Sequence, residues 1–166
     1  VANEGKTAQL IAAQRRYLHL GVPGHGFVIA IPIKSVGGGK AVAYMNGDTK
    51  NAKYTPAINY DYELIVAISN EGSTDMVMNA ARAAGARGGT VLHGKGTGSK
   101  DAPKFYNISI ADEKEVILIV STAGQKAGIM RAILEKAGPD SKAGSIVFSI
   151  PTTEVAGFGV FDSAEV

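Results

Sequence analysis

The sequence predicts an α+β fold in which elements follow the order βαββαβ and both helices lie on one face of an antiparallel sheet. Three observations predict it. Short apolar runs rich in β-branched residues recur at 64–68, 115–120 and 146–151. Stretches with apolar residues at helical spacing lie between such runs, and glycine follows each of these stretches.

The first half of this pattern runs from residue 62 to 98. Leu64–Ile68 is predicted as a strand that Asn70-Glu71-Gly72 ends. Ser73 or Thr74 then caps a helix that Gly85 terminates. The apolar positions of that helix have the spacing i, i+3, i+4, i+7 and are Val77, Ala80, Ala81 and Ala84. Thr90 begins a second strand, which is expected to run into a glycine-rich loop from Gly94 to Gly98.

The second half repeats the order of strand and helix. A polar excursion at 99–112 leads into a third strand at 115–120. A helix at 125–137 ends at Gly138-Pro139, as expected for a helix C-terminus. The run 146–151 is the fourth strand. Together these elements make the ferredoxin-like arrangement, one complete βαββαβ unit.

The N-terminal residues repeat the second half of that unit. A shift of 119 positions without a gap aligns Ile31-Pro32 with Ile150-Pro151 and Val36 with Val155. The repeat predicts a helix at 6–18 and a final strand at 27–32. The expected domains are a partial ferredoxin-like repeat at 1–39 (helix plus final strand), a linker at 40–61, a complete domain at 62–158 and a tail at 159–166.

The apolar runs also predict association. Strands with one face in water alternate apolar and polar residues, but 64–68 and 116–120 do not alternate. Both faces of these strands are therefore expected to be buried. Because helices cover only one face, the partial repeat or other subunits would have to cover the second, unless these are loosely patterned central strands.

The composition limits the classes of protein to which this chain can belong. The chain of 166 residues has no cysteine, which excludes disulfides and thiolate sites. A net charge of +2 without charged blocks gives no reason to expect nucleic-acid binding. No apolar run approaches the roughly 20 residues of a membrane span. We expect a cytoplasmic protein, and the start without methionine suggests that an upstream piece was trimmed.

The sequence Gly94-Lys95-Gly96-Thr97-Gly98 is the strongest functional signal. Glycines allow backbone amides to approach a ligand, and amides with a lysine can cradle an anionic phosphate. An ordinary turn is the alternative, since the spacing matches neither known phosphate-binding glycine motif.

Other polar residues give weaker signals. We expect His93 to be half-buried within its strand and the carboxylates Asp112, Glu113 and Glu115 to form a solvated turn. His19 and His25 lack a third metal donor at suitable spacing.

The chain resembles the nitrogen regulatory P-II signalling proteins, specifically their tandem or short-loop relatives. The residues that carry the resemblance are 85–91, 95–98 and 146–151. It implies trimers of βαββαβ units whose sheets face inward, with adenine nucleotides in clefts between subunits. One wall of the cleft would be formed by Gly88, Gly89, Thr90, Lys95, Gly96, Thr97 and Gly98. The opposing wall would be the loop 139–144, with Lys142 and Gly144.

This sequence departs from the P-II pattern at three places. Ser145 stands where the resemblance implies a phosphate-binding lysine, and the long signalling loop is cut to 99–112. Tyr106 does not match the motif of the modified tyrosine. Uridylylation and control of ammonium transporters are therefore not expected.

The resemblance implies a regulator and not an enzyme. It would bind ATP, ADP, AMP or another small anionic ligand, without a covalent cofactor, in an inter-subunit or inter-repeat cleft. It would signal through the loop at 99–112 to an unknown regulated protein. It would be a homo-oligomer, either a trimer or a tandem-repeat pseudo-oligomer. A structural or metal-binding trimer without nucleotide is the alternative. An RNA-binding module is disfavoured, because the predicted strands 64–68 and 116–120 contain no aromatic residue on which bases could stack.

Overall fold

The computed structural model describes residues 2–20, 22, 25–33, 56–96, 104–105, 108–109 and 112–158. In chain order the elements are α1 (Glu4–Leu18), β1 (Val28–Ala30), β2 (Asn59–Asn70), α2 (Thr74–Ala83), β3 (Thr90–Gly96), β4 (Lys104–Phe105), β5 (Ile108–Ser109), β6 (Asp112–Thr122), α3 (Ala123–Ala137), β7 (Ile146–Thr152) and β8 (Glu154–Ala156). The chain divides into two compact units, residues 1–59 with 151–166, and residues 60–150.

The second unit is built on a four-stranded sheet with the strand order β3-β6-β2-β7. β6 pairs antiparallel with β2, from Tyr62↔Thr122 to Asn70↔Lys114. β6 also pairs antiparallel with β3, from Thr90↔Leu118 to Gly96↔Asp112. The first and third strands of the βαββαβ unit thus lie in the centre, and the predicted ferredoxin-like fold is confirmed.

The core lies between this sheet and the two helices. Ile65, Ile117 and Ile119 of the central strands are fully buried, and they share one hydrophobic cluster with Ile129 and Ile133 of α3. The apolar face predicted for α2 is also confirmed, since Val77, Ala80 and Ala81 are buried. Each large side chain removed from water contributes roughly 1.5–3 kcal/mol.

The other face of the sheet is also apolar. Leu64, Val66 and Val120 alternate with the core residues along their strands and are at most 6% exposed. The prediction that both faces of the central strands are buried is confirmed at these three positions, whereas Ile68, Val116 and Leu118 on the same face are half-buried. On the outer strands, however, large apolar side chains remain exposed: Leu92 (49%), Ile146 (54%) and Phe148 (41%).

The first unit consists of α1 with the strand pair β1 and β8. Asn3 caps α1, because its side-chain Oδ1 accepts a hydrogen bond from Lys6 N at 2.9 Å. β1 pairs antiparallel with β8, from Val28↔Ala156 to Ala30↔Glu154. The helix and the strand lie at the positions that the sequence repeat predicts.

The segment 99–112 has strand pairing of its own. β4 pairs antiparallel with β5, with the partners Lys104↔Ser109 and Phe105↔Ile108. This small pair belongs to the segment that directly follows the glycine motif in the chain.

Candidate functional site

The first half of the glycine motif is a strand. β3 continues to Gly96, and every residue from Gly94 to Gly96 has a partner in β6. The prediction of a loop starting at Gly94 is therefore wrong. Since successive amides of a strand point in opposite directions, these residues do not form a cradle of consecutive N–H groups. Thr97 and Gly98 lie outside the described residues.

β3 is nevertheless suited to bind a ligand along its outer side. It lies at one edge of the described four-stranded sheet. In an antiparallel edge strand, alternate N–H and C=O groups face away from the neighbouring strand and are available to a partner. Gly88, Gly89 and Thr90, at the start of this edge, are exposed.

The glycines of this region have different structural roles. A Cβ on Gly89 would lie 2.8 Å from Met78 Sδ and 3.2 Å from the Leu118 carbonyl oxygen, so packing disfavours any larger residue there. A Cβ on Gly96 would lie 3.0 Å from Lys114 Cε. A Cβ on Gly88 would meet nothing within 4 Å. Packing within the described residues therefore gives no reason for glycine at position 88.

Lys95 lies beside a carboxylate. Its Nζ is 3.1 Å from Glu113 Oε1, in the residue that pairs with it across the β3–β6 ladder. The lysine side chain is 69% exposed and that of Glu113 is 46% exposed. Such an exposed ion pair is weak, so Lys95 can reach a ligand, but Glu113 competes for its charge.

The predicted solvated turn at Asp112–Glu115 is wrong. All of these residues lie in β6, and Glu115 is 6% exposed. Its carboxylate accepts hydrogen bonds from Gly72 N (3.1 Å), Ser73 N (3.0 Å) and Thr74 Oγ1 (2.8 Å). Ser73, the N-cap residue of α2, makes no capping hydrogen bond with its own side chain. Glu115 thus caps α2 from the neighbouring strand.

The hydrogen bonds decide the charge of Glu115. Burial by itself raises the pKa of this carboxyl. The Thr74 hydroxyl and the backbone N–H groups of Gly72, Ser73 and Thr74 stabilise the charged form, and together they lower the pKa below its usual value. Glu115 is therefore ionised at neutral pH, and its carboxylate serves to stabilise the start of α2.

The opposing loop is fixed to the end of β2. Asn70 N donates to the Ala143 carbonyl oxygen at 2.8 Å, and Asn70 Nδ2 donates to that of Lys142 at 3.0 Å. Gly144 has a φ of +55°, which favours glycine. Lys142 is exposed, whereas Ser145 is fully buried with no hydrogen-bond partner for its Oγ. Lys142 is the side chain that this loop can offer to an anion.

The structure adds one cation that sequence reasoning missed. Lys114 Nζ donates to Asn70 Oδ1 at 2.6 Å and lies 4.0 Å from Asp112 Oδ2. Lys114 pairs with Gly94 in the β3–β6 ladder, so its charge lies at the same end of the sheet as Lys95. The sequence feature that could have identified this cation is the position of Lys114 among three carboxylates, in Asp112-Glu113-Lys114-Glu115.

A single unit does not bring the predicted site residues together. Lys95, Gly96 and the loop at Lys142 lie at one end of the sheet, but the loop is held at the end of β2, and β6 lies between β2 and β3. About 10 Å therefore separates the backbones of β3 and β2. Thr90, at the far end of β3, lies roughly 20 Å from Gly96, and Gly88 precedes the strand by two residues.

The histidines do not form part of this arrangement. His93 is exposed on β3, and the prediction that it is half-buried is wrong. His19 and His25 contact each other edge to face at 6.3 Å, and His25 Nδ1 lies 3.0 Å from the Leu18 carbonyl oxygen. Within the described ranges, no three His, Asp or Glu side chains group closely enough to hold a metal ion.

Two cavities lie elsewhere in the second unit. A groove of about 670 Å³ runs between α3 and β7, and a pocket of about 230 Å³ adjoins the C-terminus of α3. The groove is lined by no predicted binding residue, whereas the smaller pocket is lined by Pro139, Asp140 and Ser141 of the predicted opposing wall. The smaller pocket carries Glu135 and Asp140 beside a helix C-terminus, which disfavours anions.

Comparison with known proteins decides the family. The family description "Nitrogen regulatory protein P-II" matches residues 62–158, more than half of the chain. The chain belongs to the P-II family. P-II proteins are signalling regulators, and this chain is a regulator of that family. Among solved structures it is similar to Arabidopsis thaliana PII bound to citrate, with 22% identity, 56% of this chain and 76% of that chain covered, and a TM-score of 0.42.

A search of the curated proteins finds no match to this P-II protein. Among its described helices, none has both the length and the apolar character that crossing a membrane requires.

Proposed function

We propose that this P-II protein binds a small anionic ligand, an adenine nucleotide, along the outer edge of β3. The observation that carries the proposal is the position of β3 at the edge of the described sheet, which leaves alternate amides available beside exposed Gly88 and Lys95. One wall of the site comprises Gly88, Gly89, Thr90, Lys95, Gly96, Thr97 and Gly98. A nucleotide offers a flat base to one part of this edge and phosphates to Lys95.

The opposing wall, with Lys142 and Gly144, comes from a neighbouring copy or repeat. Two observations support this. Within one unit this loop is held at the end of β2, and β6 lies between β2 and β3, so about 10 Å separates the loop's anchor from the backbone of β3. On the sheet face away from the helices, Leu92 at one edge and Ile146 and Phe148 at the other are exposed, and exposed apolar side chains of this kind are found at association sites. A trimer with inward-facing sheets buries them.

The segment 99–112 carries the signal. It follows the glycine motif directly and contains the short pair β4–β5. Ligand bound beside Lys95 changes the order of this segment, which then docks on or releases a regulated protein in the cytoplasm. No catalytic step is part of this function.

A structural or metal-binding trimer that binds no nucleotide is the second candidate. It is favoured by the close packing around Gly89 and by the pairing of Lys95 with Glu113. On this view the motif serves the fold alone.

Isothermal titration calorimetry with ATP, ADP, AMP and cyclic dinucleotides separates the two functions. The proposal predicts saturable binding of at least one nucleotide, weakened by added salt because the contacts are ionic. A folded oligomer that gives no heat with any of these ligands would support the structural alternative.

Two variants at the same ion pair give opposite results if Lys95 binds phosphate. Lys95→Met is expected to weaken nucleotide binding about tenfold or more, since a hydrogen bond to a charged group contributes roughly 1.5–3 kcal/mol. Glu113→Gln is expected to strengthen it by about 0.2–1 kcal/mol, because it frees the Lys95 charge. Lys136→Met, at an exposed lysine of α3, is the control. Equal affinities in all three variants would exclude Lys95 from the site.

A further inference from the structure

Carboxylates accompany the glycine–lysine end of β3. Lys95 lies opposite Glu113 in the β3–β6 ladder, and its Nζ is 3.1 Å from Glu113 Oε1. The next pair of this ladder is Gly96 with Asp112, so a second carboxylate lies across from the last residue of β3. An anion that approaches Lys95 therefore also approaches two negative side chains.

Lys114 does not remove this excess of negative charge beside Lys95. Its Nζ donates to Asn70 Oδ1 at 2.6 Å and lies 4.0 Å from Asp112 Oδ2. Because side chains alternate between the two faces of a strand, Lys114 and Asp112 share one sheet face and Glu113 lies on the other. The charge of Lys114 thus offsets Asp112 and leaves Glu113 beside Lys95.

The opposing loop is also balanced in charge. Lys142 and Asp140 are both exposed in this loop, two residues apart. Ser145, directly after the loop, is fully buried and uncharged. Arg87 is a further exposed cation, but it precedes the start of β3 by three residues, at the opposite end of the strand from Lys95. Within the described residues, a carboxylate therefore accompanies the lysine of each wall.

We propose that the ligand of this site is a nucleoside monophosphate, and that Glu113 is the residue that disfavours the di- and triphosphates. The inference rests on the proposed anion site and names the class of ligand that fits it. A phosphate monoester carries a charge of about −1.5 to −2 at pH 7, and each additional phosphate group adds further negative charge. A site with balanced charges tolerates the first of these groups better than a chain of three.

Lys95 can bind one phosphate without releasing Glu113. An ammonium group has three N–H donors, and Glu113 Oε1 engages at most one of them. The lysine side chain is largely exposed, so the remaining donors can reach a ligand. Further phosphates at this end of β3 lie beside the carboxylates of Glu113 and Asp112, where like charges repel each other.

Isothermal titration calorimetry with AMP, ADP and ATP, without divalent cations, tests the inference on the wild-type protein. We expect AMP to bind about fivefold more tightly than ATP, with ADP between them, because one exposed charge pair contributes up to about that factor. Equal affinities, or tighter binding of ATP, would overturn the inference and leave the anion site intact. Absence of binding by all three nucleotides would overturn the proposed function, and the inference with it.

Glu113→Gln tests whether this residue sets the preference. We expect the affinity for ATP to rise more than that for AMP, so that the ratio of the two affinities changes about twofold or more. A purely structural effect of the substitution would change both affinities by the same factor. Glu4→Gln, at an exposed glutamate of α1 in the other compact unit, is the control. A ratio that stays at the wild-type value in Glu113→Gln would overturn the role of Glu113.

The same titrations with Mg²⁺ test a competing role of the carboxylates, since carboxylates can bind a cation that accompanies ATP. We expect AMP to remain the tighter ligand. ATP that binds more tightly than AMP once Mg²⁺ is added would show that Glu113 and Asp112 favour a metal-bound triphosphate, and it would overturn the inference.

Discussion

Replacing Glu115 by alanine is expected to lower the free energy of unfolding by about 2–4 kcal/mol at pH 7. The carboxylate accepts three hydrogen bonds at the start of α2, from Gly72 N, Ser73 N and Thr74 Oγ1. Its removal leaves the buried N–H of Ser73 without an acceptor and α2 without a cap. Urea denaturation followed by circular dichroism measures the loss, and Glu113→Ala, at the exposed neighbouring glutamate, is the control.

The effect of Glu115→Ala should depend on pH in a defined direction. The pKa of Glu115 is lowered in the folded protein, so its charge stabilises the fold above the pKa of an unfolded glutamate, about 4.3. That contribution is lost as the pH falls through the lower folded pKa. The difference between wild type and variant should therefore shrink at pH 2–3.

The pKa of Glu63 is also lowered, mainly by its hydrogen bond with Lys126. Because Glu63 is present in both wild type and variant, its pH-dependent contribution to stability cancels when the two proteins are compared. A loss as small as that of Glu113→Ala, or a loss that does not change between pH 7 and pH 3, would contradict the capping role of Glu115.

Gly89→Ala is expected to destabilise the protein by about 1–3 kcal/mol, whereas Gly88→Ala should leave stability nearly unchanged. The added methyl at position 89 would lie 2.8 Å from Met78 Sδ and 3.2 Å from the Leu118 carbonyl oxygen, and the backbone of β6 cannot move away cheaply. At position 88 the methyl meets open space. The midpoints of urea unfolding for the two variants measure this difference between adjacent glycines.

The same pair separates packing from binding. If Gly88 allows the backbone to approach a ligand, Gly88→Ala weakens nucleotide binding while the unfolding midpoint stays that of the wild type. A Gly89→Ala variant as stable as wild type would show that Met78 and β6 accommodate the methyl, and the packing role of Gly89 would be wrong.

The fold was predictable where the apolar pattern is strong. The runs at 64–68, 115–120 and 146–151 lie within β2, β6 and β7, because β-branched apolar residues bury well in central strands. Strand ends were not predictable in the same way. β2 begins at Asn59 and β6 at Asp112, outside the apolar runs. The start of β6 is held by pairing with Gly96 of β3, which leaves no hydrophobic signal in the sequence.

The start of α2 shows what local patterns miss. The N-terminus predicted at Ser73 or Thr74 is confirmed, but the acceptor that caps it is Glu115, which is distant in sequence. Only the register of β6 beside β2 brings this carboxylate to the helix. A cluster of acidic residues looks like a solvated turn until that register is known.

The prediction of a loop at the glycine motif is wrong for a related reason. Glycine lowers strand propensity, so Gly94-Lys95-Gly96 suggested a loop. Pairing with Asp112–Lys114 extends β3 through these residues, and Lys95 then lies opposite Glu113. The residue types of the motif were recognisable from the sequence. The direction of its amides and its neutralising partner follow from pairing between distant segments.

Amide mapping by NMR with ATP tests the central claim, that an anionic ligand binds the outer edge of β3. The account predicts that the largest chemical-shift changes in ¹⁵N-labelled protein fall on Gly88–Thr90 and Lys95–Gly96 of one copy and on the loop at Lys142. Changes confined to the groove between α3 and β7, or a spectrum that ATP leaves unaltered, would contradict it.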